Sequence, residues 1–412
     1  MDVPGGLRSL EVVLTGSCNL RCSYCYQERH SRRMEWRTLR AAVDLLLRSP
    51  RPGTTLSFYG GEPLLEFDLM RRAVEHARAS APPGRAIRFE VFTNGLLLDR
   101  EKAAFLAEHR VRTQISHDGL PPAQDLRGRG TFARLDEVLD LLRREQPEHW
   151  CRLVEVATTL TGANLRVLAD SVDYFLRKGV RTIRLAPRLT PDPDWGPGSV
   201  VELARQLGRV YRASLVLWRL SGEVPFAPFR RARGRAAPQR LEGWMCAAPR
   251  GDALTVDVDG RVTGCVLLAR SYQAPGRLDG LPERLGLGHV DRLDLAGRLP
   301  AYRRLLRRHG AFHGKGRMRS GYGPCASCRF RGDCFVCPAS LPLAGAGARD
   351  VPDLLCAFNQ VTASYRRAFL AATAQPPSSS SSSSHSRPTA SATSGLSPSR
   401  SSIRDASMPH SR

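Results

Sequence analysis

Apolar side chains between residues 8 and about 220 fall into two alternating periods. Compact or every-second-residue runs read as strands, and runs with a spacing of three to four read as helices. Leu10 to Leu14 is the first strand and ends at the turn Thr15-Gly16. Trp36, Leu39, Val43, Leu46 and Leu47 then mark one helix face. Thr54 to Tyr59 is strand-like, and a helix covers Leu69 to Ala79. Phe89, Val91 and Thr93 alternate, a helix fits Arg100 to His109, and Val111 to Ser116 is the fourth strand. Leu135, Val138, Leu139 and Leu142 mark the next helix, and Leu153 to Thr159 the fifth strand. Cys151 is expected there as a buried structural thiol. Asn164 is expected to cap the helix that carries Val167, Leu168, Val172, Phe175 and Leu176. Arg181 to Ala186 is the sixth strand, and a helix spans Val200 to Leu220.

Strand–helix units in series imply a parallel sheet, because parallel neighbours need crossover helices. The expected fold class is α/β, a partial (β/α)6 TIM barrel with its chemistry at the C-terminal strand ends. Residues 1–225 form that barrel and 226–240 a Pro/Arg/Ala-rich linker. Residues 241–372 form a small Cys-rich domain, and 373–412 a Ser/Pro-rich tail expected to be disordered. No apolar run reaches the roughly 18 residues of a membrane span. The first residues lack the blocks of a secretory signal, so the expected setting is soluble and cytoplasmic.

Charge changes this picture little. Lys and Arg number 62 against 39 Asp and Glu, a net +23, yet lysine stands only at Lys102, Lys178 and Lys315. Abundant Arg, Ala, Gly and Pro point to coding bias. Aromatics are not interleaved with the basic residues as a base-stacking surface needs, which argues against nucleic acid. An acidic partner such as a peptide is the alternative that charge steering leaves.

Cysteine changes it more. Of the 11 cysteines, three lie between 18 and 25 and seven between 246 and 356. Clustering in a chain without an export signal points to metal rather than disulfides. Cys18, Cys22 and Cys25 follow strand one in a C-x3-C-x2-C loop. Three thiolates can ligate three irons of one [4Fe–4S] cube and leave the fourth open to chelate a small molecule. Zinc sites close with four ligands, which this loop does not offer nearby.

The spacing, with Tyr24 just before the last cysteine, resembles the radical S-adenosylmethionine superfamily over residues 8 to 220. Gly60-Gly61-Glu62-Pro63 ends strand two, where that family meets the amino group of S-adenosylmethionine. Thr93-Asn94-Gly95 ends strand three, and Ser116-His117-Asp118-Gly119 resembles the family's Ser-x-Asp-Gly at the end of strand four. The resemblance implies cofactor contacts from Tyr24, Gly60, Gly61, Glu62, Pro63, Asn94, Ser116, Asp118 and Arg127. Asp125 and Arg127, before Gly130-Thr131-Phe132, resemble a family segment, and the loop here is shorter. His117 stands where the family has an apolar residue and reads as a structural histidine.

The second array is Cys246, Cys265, Cys325-x2-Cys328-x5-Cys334-x2-Cys337 and Cys356. Seven thiolates are too many for one tetrahedral metal, and the central C-x2-C pairs also suit a zinc ribbon. The whole resembles the SPASM extension of peptide-modifying radical enzymes, which carries two auxiliary [4Fe–4S] clusters. By that resemblance Cys325, Cys328, Cys334 and Cys356 hold one, and Cys246, Cys265 and Cys337 the other. The family has three residues before its equivalent of Cys337, and this chain has Phe335 and Val336. Asp252 reads as a surface residue.

The resemblance thus implies three [4Fe–4S] clusters and S-adenosylmethionine. The cofactor yields a 5′-deoxyadenosyl radical that takes a hydrogen atom from a peptide or protein, forming a crosslink or other modification in a ribosomally made peptide. It also implies an external donor of the flavodoxin or ferredoxin type. With about seventeen residues before Cys18, a separate leader-binding protein is expected. The sulfatase-maturing branch is the alternative. It carries an Asp directly after its equivalent of Cys265, where Val266 and Leu267 stand here. A non-catalytic iron–sulfur or zinc scaffold and an RNA-directed enzyme are the remaining rivals.

Overall fold

The structure, a computed structural model, describes residues 6–230, 248–273 and 277–308, short pieces between 325 and 345, and residues 351–374. Strands β1 (Ser9–Val13), β2 (Gly53–Tyr59), β3 (Ala86–Thr93), β4 (Arg112–Ser116), β5 (Val154–Leu160) and β6 (Ile183–Pro187) pair in parallel, in chain order. Between them run α1 (Trp36–Leu47), α2 (Phe67–Ser80), α3 (Arg100–Glu108), a short α4 (Pro121–Gln124), α5 (Phe132–Glu145), α6 (Pro147–Leu153) and α7 (Leu168–Arg177). Helix α8 (Ser199–Ser221) closes the series. The expected α/β partial barrel is therefore the observed fold.

The alternation along each strand builds it. Leu10, Val12, Leu56, Phe58, Phe89, Val91, Ile115, Val156 and Ile183 are fully buried against the helices, in one core with Leu39, Met70, Leu106, Leu139 and Phe175. The opposite face is polar. Its register sets Glu11 beside Ser57 and Glu90 beside Arg112. There Arg112 Nε lies 3.4 Å from Glu90 and Arg184 Nε 2.9 Å from Glu155, so ion pairs cross the strands inside the barrel.

Sequence reading missed how the sheet continues. β7 (Ala253–Val256) pairs in parallel with β1, and β8 (Arg261–Thr263) and β9 (Gly288–His289) add antiparallel strands. Cys265, just past β8, is thereby carried on the barrel's own sheet. Helices α9 (Leu281–Arg284), α10 (Leu295–Arg308), α11 (Ser340–Leu343) and α12 (Asp353–Ala372) follow. Helix α12 docks on α8, with Tyr365 donating to the Ala204 carbonyl at 2.9 Å and Phe369 stacked on Phe229 at 5.5 Å.

Three local expectations fail for identifiable reasons. Cys151 is exposed and lies on α6, because Pro147 starts a helical turn that delays β5 to Val154. Asn164 does not cap α7. Its amide instead bridges Thr161 N–H at 2.9 Å and the Thr159 carbonyl at 2.8 Å, and a tight turn over Leu165–Val167 precedes the helix. Asp252 is buried among Arg8, Arg51 and Arg250, each within 3.6 Å. The linker at 231–240 and the tail from 375 lie outside the described residues. Among the described residues, no helix is long and apolar enough to cross a membrane.

Candidate active site at the strand ends

The loop after β1 is pinned at its base, where Leu14 N–H donates to Tyr59 O at 2.8 Å and Met34 N–H to Leu14 O at 2.7 Å. It carries Cys18 and Cys22 half-buried and Cys25 exposed. Cys25 N–H closes a turn on Cys22 O at 3.1 Å. Burial pushes the Cys22 thiol up to about 11, the Arg127 charge opposes it, and the Cys25 and Cys18 charges add to the rise. The three thiols share one short loop. Among the described residues no three His, Cys, Asp or Glu side chains converge as a single metal ion requires. A four-iron cube is a larger object, and three thiols on one loop are its donor set.

The loop after β2 lies directly beneath. Gly61 N–H donates to Thr15 O and Glu62 N–H to Ser17 O, both at 2.9 Å. A side chain at Gly61 would place its first carbon 2.3 Å from Ser17 O, and one at Gly60 would lie 2.9 Å from Thr15 O. Backbone-to-backbone docking explains the paired glycines. Glu62 is fully buried and accepts from Leu64 N–H at 3.0 Å, Thr93 Oγ1 at 2.6 Å and Asn94 N–H at 2.7 Å. Burial raises its carboxyl to about 7 against those three donors. Pro63 opens the turn Pro63–Glu66 that leads into α2.

Asn94, at the end of β3, reaches back to the cysteine loop. Its Nδ2 donates to Asn19 Oδ1 at 2.6 Å and lies 3.9 Å from Cys18 Sγ. Asn19 was not singled out from the sequence, and its place inside the cysteine loop was the available signal.

The end of β4 adds a buried charge pair. Asp118 accepts from Thr159 N–H at 2.8 Å, meets Arg127 at 3.0 Å, and receives the Tyr24 hydroxyl. The Arg127 guanidinium carbon lies 5.5 Å from the Tyr24 ring centre, and its buried Nε has no hydrogen-bond partner. Gln124, fully buried, fixes the turn by accepting from Asp118 N–H at 3.0 Å, a role the sequence did not reveal. Asp125 accepts from Gly130 N–H at 2.9 Å. Ser116 is half-buried at the strand end. His117 is fully buried, with Nδ1 accepting from Gly119 N–H at 3.0 Å and its ring among Phe132, Tyr174 and Phe175. Burial lowers its pKa to about 3, so it stays neutral.

The later cysteines fall into two surroundings. Cys265 and Cys337 pack on the main core. Cys325 and Cys334 pack on a small cluster around Val336 and Leu341. Cys356, on α12, is close enough to Cys325 that its charge raises that thiol, as does Cys328. Arg366 and Arg367 of α12 hold Asp333, next to Cys334, at 2.9 and 2.8 Å. Cys246 lies outside the described residues.

Comparison with known proteins agrees with this arrangement. Residues 12–174 match the radical SAM superfamily model. GTP 3′,8-cyclase of Corynebacterium glutamicum is 29% identical over 57% of this chain and 60% of its own length. The cysteine-type anaerobic sulfatase-maturating enzyme of Clostridium perfringens is 24% identical over 43% of this chain. The chain spans 50% of that enzyme's length. The solved structure of native anSMEcpe with bound AdoMet and Cp18Cys peptide superposes with a TM-score of 0.66 at 18% identity. It covers 89% of this chain and 98% of that one, and shows a common fold.

Proposed function

From the radical SAM superfamily match over residues 12–174, we propose that this chain is a radical S-adenosylmethionine enzyme that modifies a peptide or protein. The observation that carries the reading is the cysteine loop, clamped by the three strand-end loops that follow it. When bound, the cluster and S-adenosylmethionine supply reductive cleavage to a 5′-deoxyadenosyl radical that removes a substrate hydrogen atom. The chain's own residues hold that chemistry in place. Gly60 and Gly61 let the second loop approach, Glu62 ties it to β3, and Asn94 braces the cysteine loop. Asp118 anchors Arg127, whose charge favours the thiolate form of Cys22 and whose free Nε is a donor for an anionic cofactor group. Tyr24, Pro63 and Ser116 complete the cofactor wall in this reading.

Cys325, Cys328, Cys334 and Cys356 are proposed to hold one auxiliary cluster, and Cys246, Cys265 and Cys337 a second. Their separate surroundings support that division. A peptide substrate is supported by the fold shared with a relative whose structure holds one. A ferredoxin- or flavodoxin-type donor and a separate leader-binding protein belong to the same proposal, as do the domain limits at 225, 240 and 372. The match to GTP 3′,8-cyclase favours a nucleotide substrate as the second reading, and loss of GTP on incubation would distinguish it. The test of the site is spectroscopic. Anaerobically reconstituted protein should bind about four irons per cluster, and S-adenosylmethionine should shift the reduced electron paramagnetic resonance signal. Cys25→Ala should lose that shift. Zinc in place of iron, or a signal indifferent to S-adenosylmethionine in the native chain, would overturn the reading.

A further inference from the structure

We propose that His30 is a positioning residue for the radical site, pinning the base of the Cys18–Cys25 loop to the segment that follows Cys265. The inference rests on the proposed role of Cys18, Cys22 and Cys25 as cluster ligands.

His30 touches the two residues that lead into Cys18. Its ring lies over Gly16 so closely that a first side-chain carbon there would stand 2.1 Å from His30 Cε1. A side chain there would have to displace the His30 ring, which explains a glycine two residues before Cys18. The His30 carbonyl accepts from Ser17 Oγ at 3.3 Å. Backbone pairing closes the same base, with Gly16 N–H donating to Arg32 O at 3.0 Å.

The ring then reaches across the molecule. Nδ1 accepts from Arg32 N–H at 3.2 Å, and Nε2 lies 3.1 Å from Ser271 O. These partners define one tautomer, with the proton on Nε2 donated to the Ser271 carbonyl. Burial lowers the His30 pKa, which keeps the ring in that neutral form. Ser271 is itself immobilised. Buried Asp257 accepts from its N–H at 2.8 Å and from its hydroxyl. A parallel contact joins Glu28 N–H to Tyr272 O at 2.8 Å, and Tyr26 meets the Tyr272 ring edge at 6.3 Å. Val13 at the end of β1 shares a small core with Tyr272 and Tyr26. The two cysteine-bearing segments are therefore one mechanical unit, with His30 as its polar pin.

The test uses the full chain, anaerobically reconstituted, with S-adenosylmethionine as the probe. His30→Ala should keep its iron, but its S-adenosylmethionine-bound reduced signal should broaden or split. The rate of 5′-deoxyadenosine formation per loaded cluster should fall about tenfold, as misplacement of a reacting centre does. His30→Gln puts an amide N–H near the Nε2 position and should restore a single signal and most of the rate. Should His30→Ala fail to fold, Asp257→Asn, which loosens Ser271, should broaden the signal in the same way. A His30→Ala protein with native signal and rate overturns the proposal, as does His30→Gln behaving like alanine. An unaltered Asp257→Asn signal, where alanine cannot be assayed, also overturns it. A native protein without an S-adenosylmethionine-dependent signal removes the site reading itself, and this inference with it.

Discussion

Asp118 shows how residue chemistry sets the site. Its carboxylate, wholly buried, serves Arg127, Tyr24 and the Thr159 amide at once. Removing one partner of a buried ion pair leaves an uncompensated charge and costs about 3–5 kcal/mol. Asp118→Asn should therefore lower the unfolding free energy by about that much in denaturant titration, and lower iron retention at the Cys18 loop. His117 carries a pH consequence. Its folded pKa, near 3, lies below the ordinary value of 6.5, so the unfolded chain binds more protons between those limits. Stability is present above the unfolded value and lost as pH falls, by about 1.4 kcal/mol per unit from this group. His117→Phe should flatten the acid side of a stability–pH curve measured by chemical unfolding. At this scale the sequence singled out Cys18, Glu62, Asn94, Asp118 and Arg127 as candidates, and the structure gathers them at the strand ends. It did not show that Glu62 spends both oxygens on Leu64, Thr93 and Asn94, because those donors come from a turn and a neighbouring strand end.

Elements were legible where periodicity was undisturbed. The six strands and the long helices of the barrel lie within a few residues of their expected limits, because each strand has one apolar face to hide. The short strands β7 and β8 were illegible, being four and three residues long in a Gly-rich segment. Pairing with β1 stabilises β7, a contact no local pattern announces. Helix α12 was also missed as a unit, although it carries Cys356 and spans 20 residues. Its apolar contacts are spread between α8 and the turn at Ala227–Phe229. Phe369 is 1% exposed, and its truncation leaves a cavity. Phe369→Ala should cost about 3–5 kcal/mol in unfolding experiments and reduce iron bound by the Cys325–Cys356 group, with the Cys18 cluster retained.

On the scale of the whole molecule, the barrel sheet is extended by β7, β8 and β9, so the Cys18–Cys25 loop and the segment bearing Cys265 share one framework. The fold class was readable because strand–helix alternation admits few architectures. The sharing was not, because it depends on residues more than 200 positions apart, such as Ser9 beside Ala253. In the proposed function, the Cys18–Cys22–Cys25 loop holds the cluster that cleaves S-adenosylmethionine. The most direct measurement is 5′-deoxyadenosine formed by the anaerobically reconstituted chain with S-adenosylmethionine and a strong reductant. The native protein should form it, and Cys18→Ala/Cys22→Ala/Cys25→Ala should form none with the later clusters still spectroscopically present. A fully loaded native protein that forms no 5′-deoxyadenosine, or a triple variant that forms as much, would contradict the proposed function.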